Sequence, residues 1–335
     1  MTNRQILLAS RPTGYPVAEN FQLQTVEVPP PAEGEVLVKT RFISLDPAMR
    51  GWMNEGKSYI RPVAIGEVFR AGTAGIVVES GHEHFRPGDA VTGNWGVQEY
   101  ALCQARELRK VDTRQIPLEQ YLAALGMPGM TAYFGLLDVG QLQNGEVVVV
   151  SGASGAVGSV VGQLAKAHQC RVVGIAGGPE KCRYCTEELG YDACIDYKSV
   201  PNLRQALKEA CPEGIDVYFD NVGGDMLDTV LTLIRRKARI VICGAISQYN
   251  STTGVRGPAN YMSLLVNRAR MEGMVVFDYA QRYPEAAKEM YAMILDGRLQ
   301  SKIHIEKGIE NFLPALLKLF SGENFGKLVL ETGER

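Results

Sequence analysis

The sequence predicts an α/β chain of two domains, a barrel-like β domain and a doubly wound parallel-sheet domain. Three observations carry this expectation. At 335 residues the chain is long for a single hydrophobic core. Residues 1 to about 125 are short β-like runs, broken at close intervals by Gly, Pro and Asp. From about 126 to 297, continuous apolar runs alternate with helical stretches, as a parallel sheet covered on both faces requires.

In the first region the runs are "EVLVKTRFISL", "TAGIVVESG", "DAVTG" and "VQEYALC". In the second, "EVVVVSG" and "RVVGIAGG" each lead into a helix, and "IDVYFDNVGG" and "ARIVICGAIS" follow with helical neighbours. The stretch "MEGMVVFDY" reads as a late, strongly apolar strand at the sheet edge. The tail holds a helix, "GIENFLPALLKLFSG", and a last strand, "KLVLE". There is no internal repeat and no low-complexity linker.

Composition excludes several classes. Hydrophobic residues make up 46%, charged residues 21%, and the net charge is −2, an ordinary globular balance with no basic run for nucleic acid. The N-terminal apolar run is four residues, too short for a signal-peptide core, and no segment nears the length of a membrane span. The cytoplasm is therefore the expected compartment. Seven scattered cysteines argue against a disulfide framework. Cys182 and Cys185 read C-x-x-C, but no second pair or histidine cluster accompanies them, so ordinary thiols are expected. None of the four histidines has metal-ligand spacing, and His82 and His84 read as solvated turn residues. No metal site is expected.

The most informative stretch is "VVVVSGASGAVGSVVGQLAK", Val147 to Lys166. A four-valine strand ends, Gly152, Gly155 and Gly158 follow at three-residue spacing, and a helix begins. Glycine permits the tight turn and removes the Cβ that would keep a pyrophosphate from the backbone. The helix start adds unpaired N–H groups and the positive end of its dipole. Tight strand–helix packing is the other reading, but the position at the opening of a βαβ repeat favours a phosphate loop. An NAD-binding fold usually carries an acid about 20 residues on. Here the next strand ends in Ala176 and Gly177, and Glu180 lies beyond the turn beside Lys181. A missing carboxylate and an adjacent lysine suit a 2′-phosphate, hence NADPH. A solvated lysine at a helix start is the alternative for Lys181.

Seven segments, in order, resemble the zinc-independent medium-chain dehydrogenase/reductases, and within them the alkenal double-bond reductase group. They are "FISLDPAMRG", "GMPGMTAYFGLL", "GASGAVGSVVGQLAK", "YFDNVGG", "CGAISQYN", "MEGMVVFDY" and "ENFGK". The resemblance implies a GroES-like β-barrel domain (1–125 and 298–335) and a Rossmann NADP-binding domain (126–297). By matching position it places Gly155, Ala156, Val157 and Gly158 under the pyrophosphate, with Lys181 and Tyr197 on the 2′-phosphate. Asn221, the segment Cys243, Gly244, Ala245, Ile246, Ser247 and Tyr249, then Met274, Val275, Val276 and Asn324 would line the ribose and nicotinamide. The apolar members also suit a sheet core, and Asn221 suits a turn. Relatives pair the late edge strand across a two-fold axis, so a homodimer is implied. Two departures stand out: Ala48 replaces a pocket tyrosine, and Val266 stands where some relatives carry tyrosine, with Tyr261 five residues earlier. The cysteine that zinc-dependent members use is missing from "SLDPAMRG".

The chemistry implied is reduction of an α,β-unsaturated carbonyl, with hydride to the β carbon and charge moving to an enolate oxygen. Without a metal, hydrogen bonds must stabilise that charge. A phenol, with a reference pKa of about 10, can donate there while staying neutral at pH 7. Tyr249, expected at a strand end, is the first candidate and Tyr59, in "GKSYIRP", the second. A quinone oxidoreductase and a non-enzymatic NADPH-binding protein are the rival readings.

Overall fold

The computed structural model describes residues 1–333 and resolves into two compact units, Met1–Leu122 with the chain from Ile303 onward, and Ala123–Lys302. In the first unit β1 (Thr2–Leu8) pairs antiparallel with β2 (Phe21–Glu27). Next come β3 (Glu35–Ser44), the single turn of α1 (Met49–Trp52), β4 (Thr73–Ser80), β5 (Ala90–Gly93), β6 (Tyr100–Gln104) and β7 (Arg109–Lys110). Alternating residues of β3 and β4 turn inward, and Val36, Val38 and Val77 pack there with Val91 and Ala101.

The second unit begins with α2 (Met127–Phe134), and β8 (Val147–Ser151) then runs into α3 (Ala156–Ala167). All five residues of β8 are buried, which is why its run is continuous rather than alternating. The repeat continues through β9 (Arg171–Ala176), α4 (Pro179–Arg183), β10 (Ala193–Asp196) and α5 (Leu203–Ala210). It closes with β11 (Ile215–Asp220), α6 (Gly224–Leu231), β12 (Ile234–Ile242), α7 (Met262–Asn267), β13 (Arg270–Gly273) and α8 (Tyr283–Leu295). The sheet is parallel, in the order β10-β9-β8-β11-β12-β13. The chain winds outward from β8 in one direction and from β11 in the other. The switch point between β8 and β11 is where such sheets open a ligand crevice, at the carboxyl ends of the strands.

One element differs from expectation. The strand in "MEGMVVFDY" stops at Gly273, although the Met274 amide still bonds to the Ile242 carbonyl at 3.0 Å. From Val276 to Arg282 the chain coils into a 3-10 helix, and this carries Tyr279 onto Phe134, stacked at 4.7 Å. Only Val276 of this turn is buried, so the ring stack, not a continuous apolar strand, takes up the stretch. The tail, β14 (Ile303–Lys307), α9 (Phe312–Ser321) and β15 (Lys327–Glu331), returns to the first unit. Its sheet runs β14-β15-β3-β4-β5-β7, with β6 also on β3.

Candidate functional site

The glycine loop follows β8 at the switch point. Gly152 has φ +61°, the left-handed region that glycine enters without penalty. A Cβ on Gly158 would lie 2.3 Å from the Gly152 carbonyl oxygen, so packing alone demands glycine there. Gly155 is different: the sole neighbour of an added Cβ within 4 Å is that same oxygen, at 3.1 Å. The helix α3 starts at Ala156 without a side-chain cap, and Ala156 and Val157 are partly exposed. The N–H groups of its first turn are thus left to a ligand or water.

The turn after β9 gathers cationic groups. Lys181, in α4, is half-buried, and its pKa is lowered first by that burial and then by the charge of Lys198. Gly177 makes room for both partners from β10's end: its Cβ would lie 3.0 Å from the Lys198 Cε and from the Tyr197 ring. An acid does stand near, Asp196 at the end of β10. Its Oδ1 accepts the Gly178 amide at 2.8 Å and the Lys198 amide at 3.1 Å, and these bonds, the Gly178 one first, hold its pKa down. This carboxylate braces the turn.

At the end of β11, Asn221 donates Nδ2 to the Ser151 carbonyl at 2.7 Å and its amide to Ser151 Oγ at 2.9 Å. The segment after β12 folds back on it. The Cys243 and Gly244 amides bond to the Asp220 carbonyl, Ile246 to that of Asn221, and Ser247 to that of Val222. Tyr249 was expected at a strand end, but β12 stops at Ile242 and Tyr249 lies beyond the 3-10 turn Ile246–Gln248. The reason is this back-folding, which turns the chain away from the sheet. Its phenol oxygen accepts the Ala245 amide at 3.2 Å. Burial pushes the Cys243 thiol up to about 12, so it stays protonated at neutral pH. Met274 and Val276 are buried just past β13, with Val275 half-buried between them.

The glycine loop, Asn221 and the Cys243–Tyr249 segment thus share the carboxyl ends of β8, β11 and β12, and Lys181 and Tyr197 those of β9 and β10. Tyr59 and Asn324 belong to the other unit. There Tyr59, 57% exposed, accepts Trp52 Nε1 at 3.4 Å, and Asn324 donates to the Gly326 carbonyl at 3.3 Å. Three participants escaped the sequence reading: Ser151, Asp220 and Lys198. Lys198 could have been noticed beside Tyr197, whereas nothing local marks the other two. Among the described residues no group of three or more His, Cys, Asp or Glu side chains could hold a metal ion.

Residues 4–111 match the family described as the N-terminal domain of oxidoreductase, and residues 156–292 that described as zinc-binding dehydrogenase. The chain is 44% identical to the NADPH-dependent curcumin reductase of Escherichia coli, over 98% of this chain and 96% of that protein. It is 41% identical to the NADP(+)-dependent 2-alkenal reductase of Nicotiana tabacum, over 98% and 97%. The crystal structure of CurA in complex with NADPH from Vibrio vulnificus superposes with a TM-score of 0.93 at 44% identity, covering 99% of this chain and all of that one. By these full-length matches, the chain belongs to the curcumin and 2-alkenal reductase family of medium-chain NADP-dependent oxidoreductases.

Proposed function

We propose that this protein uses NADPH to reduce the conjugated C=C bond of α,β-unsaturated aldehydes and ketones. The observation that carries the reading is the full-length identity to reductases named for NADPH and for 2-alkenal or curcumin reduction. The site fits the cofactor. The backbone from Gly152 to Gly158 and the start of α3 would take the pyrophosphate. Lys181 and Lys198 repel one another, and the 2′-phosphate would relieve that repulsion, with Tyr197 adding a hydrogen bond. By the family resemblance, Asn221, the segment Cys243–Tyr249, Met274, Val275 and Val276 would line the ribose and nicotinamide.

NADPH, when bound, supplies the hydride. The protein's own task is to hold substrate and cofactor in register and to meet the charge that develops on the carbonyl oxygen. A neutral phenol does this by donating a hydrogen bond, with Tyr249 in the first place and Tyr59 in the second.

The assembly is a homodimer, formed through β13 and α7. β13 is a bare sheet edge, and α7 beside it exposes Met262, Leu265 and Val266 by 50 to 68%. All seven cysteines are unpaired, in keeping with a reducing, cytoplasmic setting. NADPH oxidation followed across enals, ring enones and benzoquinones tests the function. Turnover of enals and enones is expected. Turnover of quinones alone supports a quinone oxidoreductase, and tight NADPH binding with no oxidation supports a non-enzymatic role.

A further inference from the structure

Asp220 closes β11 and is completely buried. Its Oδ1 accepts four hydrogen bonds, from Ser151 Oγ (3.1 Å), Tyr218 Oη (2.8 Å), Val222 N (3.0 Å) and Gly223 N (2.9 Å). Its Oδ2 is equally buried and has no partner. The Asp220 carbonyl in turn accepts the Cys243 and Gly244 amides, at 2.9 and 3.1 Å. Ser151 closes β8, on the other side of the switch point, and receives both the amide and the Nδ2 of Asn221. Through Asp220, then, the ends of three neighbouring strands, β8, β11 and β12, are tied at one residue. The loops that leave these ends carry Gly152, Asn221 and Cys243–Tyr249.

Packing alone does not ask for a carboxyl here. An aliphatic residue would complete the buried face of "IDVYFD" without leaving an oxygen unpaired, which carries a desolvation penalty. The side chain is spent on crossing the switch point: the same Ser151 hydroxyl that donates to Asp220 accepts from the Asn221 backbone. We infer that Asp220 is a positioning residue, latching Ser151 to the turn 221–223 and so fixing the backbone on which the central half of the bound cofactor rests. This rests on the NADPH reading above. An asparagine, with a carbonyl at Oδ1, can accept the same four hydrogen bonds and so reproduces the latch.

Calorimetric titration of NADPH and of NADH into wild type, Ser151→Ala, Asp220→Ala and Asp220→Asn, with thermal melting of each, tests this. Asp220→Ala is expected to weaken both nucleotides by about tenfold, equivalent to about 1.4 kcal/mol, and Ser151→Ala by about threefold. Asp220→Asn should stay within about threefold of wild type. The loss must be equal for the two nucleotides, because the latch lies under the part they share. Unchanged affinity in folded Ser151→Ala and Asp220→Ala, with lowered melting temperature alone, overturns the inference. A loss confined to NADPH overturns it too. Should Asp220→Ala not fold, Ser151→Ala decides by the same criterion. A wild-type chain that binds neither nucleotide overturns the NADPH reading itself, a result distinct from the others.

Discussion

Lys181 sits in a half-buried position against Lys198, and both effects disfavour its charge, with Glu180 opposing them more weakly. A charge-assisted hydrogen bond to a 2′-phosphate is worth roughly 1.5–3 kcal/mol. Lys181→Ala should therefore weaken NADPH by at least about tenfold and leave NADH within about threefold. The check is kcat/KM for both cofactors at one saturating enal. Equal losses would make the lysine a support of the fold. Lys327 is a different kind of cation, 1% exposed inside the β unit, bonded to Asp46 Oδ1 at 2.7 Å and to the Leu45 carbonyl at 2.9 Å. Lys327→Met strands a buried carboxylate and should cost about 3–5 kcal/mol in urea unfolding, while adding Asp46→Leu should recover much of that loss. Lys181 is proposed from its distance beyond a recognisable loop, and Tyr197 from the family resemblance alone. Ser151 and Asp220 were not legible in the sequence, since their partnership exists only once β8 and β11 become neighbours.

At the scale of the element, the glycine loop and its helix were readable because the periodicity of the chain changes there, from a buried strand to a capless helix start. What periodicity could not show was how far "MEGMVVFDY" would remain extended, because the outcome depended on a ring 145 positions away in Phe134 stacking on Tyr279. The opening of α3 yields a sharp expectation. Gly158→Ala drives a methyl to within 2.3 Å of a backbone oxygen that cannot yield without moving the loop. It should destabilise the second unit by about 1–3 kcal/mol, the usual penalty of overpacking, and weaken NADPH with it. Calorimetric melting and nucleotide titration of one sample measure both. Unchanged melting with unchanged affinity would mean that the loop relaxes freely.

For the whole molecule, the proposed homodimer rests on the exposed face of α7 and the edge strand β13. Leu265 and Val266 are each 68% exposed, and Leu265→Glu with Val266→Glu should convert a dimer to a folded monomer by light scattering at micromolar concentration. A wild-type chain of monomer mass would count against the dimer outright. The domain order and the β-barrel and parallel-sheet classes were open to the sequence, whereas the exposure of α7 was not, because apolar residues on a short helix read equally as core. The "SLDPAMRG" segment lacks the zinc-family cysteine. Elemental analysis should accordingly find no stoichiometric zinc, with activity surviving chelation.

The division of the first unit between the two ends of the chain bears on how the protein is born. β15 pairs with β3 through Val329 with Ser44, Leu330 with Ile43 and Glu331 with Phe42. On the ribosome β3 emerges early, yet its neighbour β15 follows only after the whole of Ala123–Lys302 has been made, roughly 15–60 s later at about 5–20 residues per second. During that interval Asp46 awaits its lysine and one edge of the barrel stays open to stray strands. The parallel-sheet unit, continuous in sequence, can fold meanwhile. The second domain can therefore be complete before the first, and a chain cut short ahead of residue 327 would pair a nucleotide-binding domain with an unfinished barrel.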